Sequence, residues 1–275
     1  QGVQRFMNLK AYRSVFRLRL ITGLQYRTAA CAGIATQFFW GFILIMVYKA
    51  FYSTSAAEPP ISLPQLATYI WLQQAFLSFI ALWFRDNELF QLITSGNIAY
   101  ELCRPCGLYS FWFAKLTGTR LSRTVLRCVP LLIIAVVLPQ PYRLIPPPSA
   151  TSLVLFVTSL AIGMLLVVAL SMLIHISVFW TLSPAGSVLL FGITGEFLAG
   201  MVVPVPMMPL WLQRMVEWLP FRWTVDFPFR VYSGHIPPGE AATGILVQLI
   251  WLALLVVAGH WCMRRAMRRV VVQGG

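Results

Sequence analysis

Six apolar runs, each close to the roughly 20 residues that an α-helix needs to cross a bilayer, dominate this chain of 275 residues. They lie at about 29–51, 64–84, 113–138, 151–178, 186–203 and 243–263, the third having its apolar core at Thr119–Leu138. Hydrophobic residues make up 59% of the chain and charged residues 11%, where soluble domains carry about 45–50% and about 25%. With most of the length committed to spans, no separate soluble domain is expected. The first run follows basic residues, as a secretory signal does, but its apolar stretch far exceeds the roughly 7–15 residues of a signal core. It is expected to be a retained span. Pro130 falls inside the third run and is expected to kink it.

The charges predict an orientation. Basic residues collect on the cytoplasmic flanks of membrane spans, and an even number of spans puts both chain ends on one side. That side would hold Arg5, Lys10, Arg13, Arg17, Arg19, Arg27, Arg85, Arg104, Lys115, Arg120, Arg123, Arg127, Arg264, Arg265, Arg268 and Arg269. The other side keeps Lys49, Arg143, Arg214, Arg222 and Arg230. Both termini are therefore expected in the cytoplasm. The net charge of +13 invites a nucleic-acid reading, but these residues hug span ends, where anionic lipid headgroups attract them. Membrane lipids are the expected partner, and nucleic acid is not. No cysteine falls in an outer loop, so no disulfide framework is expected. Cys103-Arg104-Pro105-Cys106 lacks the second pair or histidine that a zinc site needs.

Ahead of the first span, Leu9, Tyr12, Phe16, Leu20 and Leu24 recur at helical spacing beside a basic stripe of Lys10, Arg13 and Arg17. This predicts an amphipathic interfacial helix over 8–26. The longest inner connection, 85–109, contains Thr94-Ser95-Gly96-Asn97 as a cap, a short helix at Ile98–Leu102, and Arg104-Pro105 as a stop. Arg120 and Arg123 can snorkel to headgroups. Arg127 sits deeper and is expected to face protein or water. Glu196 stands alone in the fifth run, so it is expected either to pair with Arg222 or Arg230 or to line a translocation path with Arg127. His175 and His260 read as packing residues.

Between the fifth and sixth runs, prolines at 204, 206, 209 and 220 forbid one continuous helix, yet the segment stays rich in Trp, Phe, Met and Leu. Broken apolar backbone next to spans survives where protein buries it. A re-entrant elbow is expected over 204–238. Its order, Pro204-Val205-Pro206-Met207-Met208-Pro209-Leu210-Trp211-Leu212 and then Leu219-Pro220-Phe221, resembles the P-x-x-x-x-P-x-W-L and L-P-F elbow of type-2 ABC transporter permeases. Ile93, Gly96, Ala99, Tyr100, Glu101, Leu102, Arg104 and Pro105 resemble the coupling helix I-x-x-G-x-x-A-Y-E-L-x-R-P of one subgroup. The basic tail ending in Gly-Gly resembles that subgroup too.

The resemblance implies an all-α polytopic membrane protein of six transmembrane helices, with an N-terminal interfacial helix and re-entrant outer helices between spans five and six. It implies the permease subunit of an ATP-driven exporter in a bacterial cytoplasmic membrane, exporting drugs, antimicrobials or other amphipathic compounds. The expected partners are two copies of an ABC ATPase subunit and a second permease, as homodimer or heterodimer. Gly96, Asn97, Tyr100, Glu101 and Arg104 would couple to the ATPase; Pro204, Pro209, Trp211, Pro220 and Phe221 would form the elbow. ATP and Mg would sit in the ATPase. This chain has no G-x-x-x-x-G-K-[ST] phosphate loop: Lys10, Lys49 and Lys115 follow Leu, Tyr and Ala. No cofactor and no enzymatic activity are expected in it. An ion-coupled secondary transporter using Glu196 or His175 is the alternative, although inverted repeats, its usual mark, are not evident. A non-transport membrane scaffold is a third reading.

Overall fold

The computed structural model describes residues 2–25, 27–54, 59–84, 86–181 and 183–268. The Gly-Gly tail, Arg269 and Arg85 lie outside them. Among the described residues every regular element is a helix: α1 Gly2–Leu24, α2 Arg27–Thr54, α3 Leu63–Ala75, α4 Leu77–Ile80, α5 Asn87–Thr94, α6 Ile98–Leu102, α7 Leu108–Val137, α8 Ala150–Thr181, α9 Pro184–Leu198, α10 Leu210–Glu217, α11 Asp226–Tyr232 and α12 Pro238–Met267. Three stretches, Ala30–Thr54, Ala150–Thr181 and Pro238–Met267, are long and apolar enough to cross a bilayer, which makes this a membrane protein.

The other apolar runs fold differently from plain spans. α7 runs unbroken through Pro130 and, at 30 residues, reaches about 45 Å at 1.5 Å per residue, longer than a hydrocarbon core of about 30 Å. α1 packs along the first half of α7. The Gly107 amide donates to the Tyr12 hydroxyl at 3.1 Å, and Gly118 and Gly23 bring the two helices together against Phe16 and Ser122. Any Cβ on Gly23 would stand 2.1 Å from the Ser122 hydroxyl oxygen. The apolar stripe of α1 thus turns toward α7, while Leu9, Leu18 and Ile21 remain exposed. The helix starts earlier than 8, and Tyr26 lies outside the described residues.

Buried side chains form layers along the bundle. One end packs Leu89, Phe90, Ile98, Trp112, Met172 and Met263; the other packs Leu66, Trp71, Leu131, Phe156, Phe227 and Phe229. Leu82, Leu166, Val167, Ala169 and Leu255 form a cluster of their own. The first end carries Arg19, Arg104, Lys115, Arg264 and Arg265 next to its packed helices, and the second carries Arg222 and Arg230. α9 ends at Leu198, short of 203, because Gly200 adopts φ +85°; there a side chain would be strained and would meet the Tyr69 hydroxyl at 2.9 Å.

Candidate functional site

The second apolar run is not one helix. α3 stops at Ala75, α4 makes a single turn, and Ala81 is extended. Such a break frees carbonyls on one side and N–H groups on the other, and in an apolar setting both need partners. Two charged residues from other helices provide them. Arg120 of α7, 4% exposed, donates from Nη1 to the carbonyls of Ser78 (3.2 Å), Phe79 (3.3 Å) and Ala81 (2.8 Å), and from Nη2 to the Ser171 hydroxyl of α8 (2.8 Å). Glu196 of α9 accepts at Oε1 from the amides of Leu82 (3.1 Å) and Trp83 (3.4 Å). A guanidinium holds the carbonyl side and a carboxylate holds the amide side. Gly195 lets α9 come this close, since a Cβ there would lie 2.5 Å from Leu82 Cδ1.

This corrects the expected ion pair of Glu196 with Arg222 or Arg230. Arg222 pairs with Glu217 at 3.2 Å and Arg230 with Asp226 at 3.3 Å. Arg120 is likewise no snorkelling residue, because its charge is spent on backbone. The Arg127 guanidinium lies over Gly33 of α2, where a Cβ would come within 2.7 Å of Cζ.

Beyond the break the chain enters a second charged cluster. Asp86 caps α5 by accepting from the Leu89 amide at 3.2 Å. Lys115, 3% exposed, lies 3.7 Å from Asp86 and 3.0 Å from Glu88, and Arg19 of α1 hydrogen-bonds Glu88. Burial works against the Glu88 charge, but the hydrogen bonds from Lys115 and Arg19 outweigh it and hold the carboxyl below its ordinary range. The cluster ties α1, α5 and α7 together directly next to the break.

From α5 the chain turns at Gly96 (φ +76°) into α6. Ile98 anchors α6 in the core at 1% exposure, whereas Tyr100 projects at 74%. Glu101, one of the residues the motif assigned to coupling, has a side chain 11% exposed that pairs with Arg104 at 3.1 Å, and Arg104 also lies over the Phe111 ring at 4.7 Å. Asn97 gives no side-chain cap; its amide donates to the Ser95 hydroxyl. The group offered outward by this turn is therefore Tyr100, flanked by exposed Gly96 and Asn97.

At the opposite end Val205–Met207 form one 3-10 turn, and the Gln213 side chain donates to the carbonyls of Pro206 (3.2 Å) and Met208 (2.7 Å) to hold α10 against it. Pro204 and Pro220 are buried, Pro209 precedes α10, Phe221 packs over Gly195, and Trp211 is exposed. This segment is fastened to α3 and α12 by side-chain hydrogen bonds. Tyr69 donates to the Gly200 carbonyl at 3.0 Å and Gln73 to that of Met201. Gln248 of α12 donates to the carbonyls of Trp223 (2.8 Å) and Ser159 (3.1 Å). Asp226, wholly buried, is an acid that sequence reading missed; its only sequence signal is the i, i+4 spacing to Arg230. His175 donates to the Ser171 carbonyl at 2.7 Å and stacks on Phe90, and His260 donates to the Val256 carbonyl beside Tyr109. Among the described residues no three His, Cys, Asp or Glu side chains converge.

Comparison with known protein families, with curated proteins and with solved structures finds no match to this chain.

Proposed function

We propose that this chain is the permease subunit of an ATP-driven exporter of the type-2 ABC class, working with two copies of a separate ATPase subunit that bind ATP and Mg, and with a second permease. In this reading the six apolar runs are six spans, the basic end is cytoplasmic, the membrane is a bacterial cytoplasmic membrane, and residues 204–238 re-enter from the outer side. The motifs at Ile93–Pro105 and Pro204–Phe221 motivate it. The single observation that carries it is mechanical: the exposed Tyr100 turn is joined through one short helix to a span broken between Arg120 and Glu196. A push on that turn would be delivered to the break, where side chains of α7 and α9 rather than the helix itself hold the backbone hydrogen bonds. Bistable contacts of this sort, rather than a wire of residues, carry coupling between distant sites.

The exposed Trp211 of α10 and Trp218 just after it suit an outer membrane interface, where such rings are enriched. The half-buried flank of Glu196 and the apolar cleft lined by Trp83, Phe84, Val188 and Ile193, about 550 Å³, are where an amphipathic cargo would pass. Glu196 and His175, the groups that an ion-coupled carrier would use, are engaged with backbone and packing, which favours the ATP-driven reading.

The test is affinity purification of the tagged chain from its native membrane. A co-purifying ATPase whose hydrolysis is stimulated by the wild-type chain, and less so by Tyr100→Ala, is the expected result. Purification of a transport-competent chain without any ATPase would sink the proposal.

A further inference from the structure

A cavity of about 600 Å³ opens where α1 ends, α2 begins and α7 passes both. Arg19, Arg123 and Arg127 line it together with Thr22, Thr119 and Ser122. The hydroxyls are already spent: Thr22 donates to the Leu18 carbonyl, Thr119 to that of Lys115 and Ser122 to that of Thr119. Among the described residues, Arg19, Arg123 and Arg127 are therefore the side chains on this wall with donors left to offer. Arg19 gives part of its charge to Glu88 through one guanidinium nitrogen. Arg123 lies over the Phe84 ring at 5.4 Å, and among the described residues neither it nor Arg127 pairs with an acid. The acids nearest this end, Asp86 and Glu88, are engaged by Lys115 and Arg19. The missing Cβ of Gly33 gives Arg127 its place.

Three like charges held around one cavity repel one another unless an anion joins them, and guanidiniums bind phosphate oxygens with matched geometry. The depth of the cavity says what carries the phosphate. Ala30, the first residue of the apolar stretch Ala30–Thr54, is on its wall, so it sits at a hydrocarbon boundary. From Leu126 on that wall, helical spacing along α7 leads to Val129, Ile133 and Val137, exposed at 55%, 59% and 78%. A phosphate in the cavity and an acyl chain along that stripe describe one molecule. The geometry points to a binding site for an anionic phospholipid, its phosphate between Arg19, Arg123 and Arg127 and its acyl chains along α7. Basic pockets between helices take lipid headgroups in this manner. The site needs only that the chain sits in a membrane, and it stands or falls apart from any ATPase.

The test uses the full chain in detergent with phosphatidylglycerol, phosphatidylcholine and inorganic phosphate as separate probes, read by native mass spectrometry and thermal unfolding. Phosphatidylglycerol should bind and raise the melting temperature; phosphatidylcholine and inorganic phosphate should not. Each arginine removed should weaken binding roughly fivefold, the attraction of one basic residue for an anionic surface, so Arg123→Gln with Arg127→Gln should weaken it roughly 25-fold. Arg214→Gln, at the far end, should leave it unchanged. Undiminished binding to the double variant overturns the site, and equal protection by inorganic phosphate overturns its assignment to lipid. Should the double variant fail to fold, a photoactivatable phosphatidylglycerol on the unaltered chain decides: adducts within 119–127 support the site, and adducts confined to other segments refute it.

Discussion

Replacing Arg120 with methionine keeps the length and apolar stem of the side chain and removes its five donors. Three carbonyls, those of Ser78, Phe79 and Ala81, and the Ser171 hydroxyl then lose their partner. A buried acceptor left unmade costs about 1–3 kcal/mol, so the three carbonyls alone would cost roughly 3–9 kcal/mol if nothing relaxed. Against this stands the relief of no longer burying a guanidinium, and measured losses of one partner from a buried charged network settle at about 3–5 kcal/mol. At roughly 2–4 °C per kcal/mol for a chain of this size, the melting temperature should fall by about 10 °C. Arg120→Lys retains the charge but cannot fork to both α4 and Ser171, and it should fall in between. The assay is thermal unfolding in detergent, followed by loss of the monodisperse peak in size exclusion. An Arg120→Met chain that melts with the wild type would show that the break does not depend on this residue, and the account of the site would be wrong.

Glu196→Gln retains an acceptor oxygen for the Leu82 and Trp83 amides and should fold nearly as well as the wild type, whereas Glu196→Leu should lose about 1–3 kcal/mol by stranding the part-buried Leu82 amide; equal melting of the two variants would refute the role given to the carboxylate. Glu88 has a folded-state pKa below its ordinary value of 4.5, so its contribution is present above that value and is lost as the pH falls through the lower folded value. Because Glu88 is half exposed, the effect is modest, and Glu88→Gln should flatten the acid limb of the stability profile; an unchanged limb contradicts the cluster. Gly244→Ala would put a Cβ 2.2 Å from the Phe227 ring, so it should cost about 1–3 kcal/mol as overpacking and loosen the elbow, which faster proteolysis of 204–238 would report.

The three long apolar helices could be read from residue pattern alone, because each run of apolar residues carries its own reason to be a helix in lipid. The break at Ala81 could not. Ala81-Leu82-Trp83-Phe84 continues the apolar run with no proline or glycine, and the helix ends because Arg120 and Glu196, distant in sequence, satisfy the freed backbone. The same limit hid Glu196's true partners, since no residue code marks a backbone amide as an acceptor's target. Asp226 was lost among the aromatic residues of the elbow. Tyr100 was visible in the coupling motif, but its prominence over Glu101 depends on the Glu101–Arg104 pair and on Ile98 fixing which side of α6 turns inward.

The central claim is that the Tyr100 turn meets an ATPase. A photo-crosslinking amino acid placed at Tyr100, and in a separate chain at Trp218, which is 83% exposed just after α10, tests it most directly in intact cells. The account predicts a crosslink from position 100 to a subunit carrying a phosphate-binding loop, and none to that subunit from position 218. A crosslink to it from 218, or a functional transporter with no such adduct at 100, would contradict it.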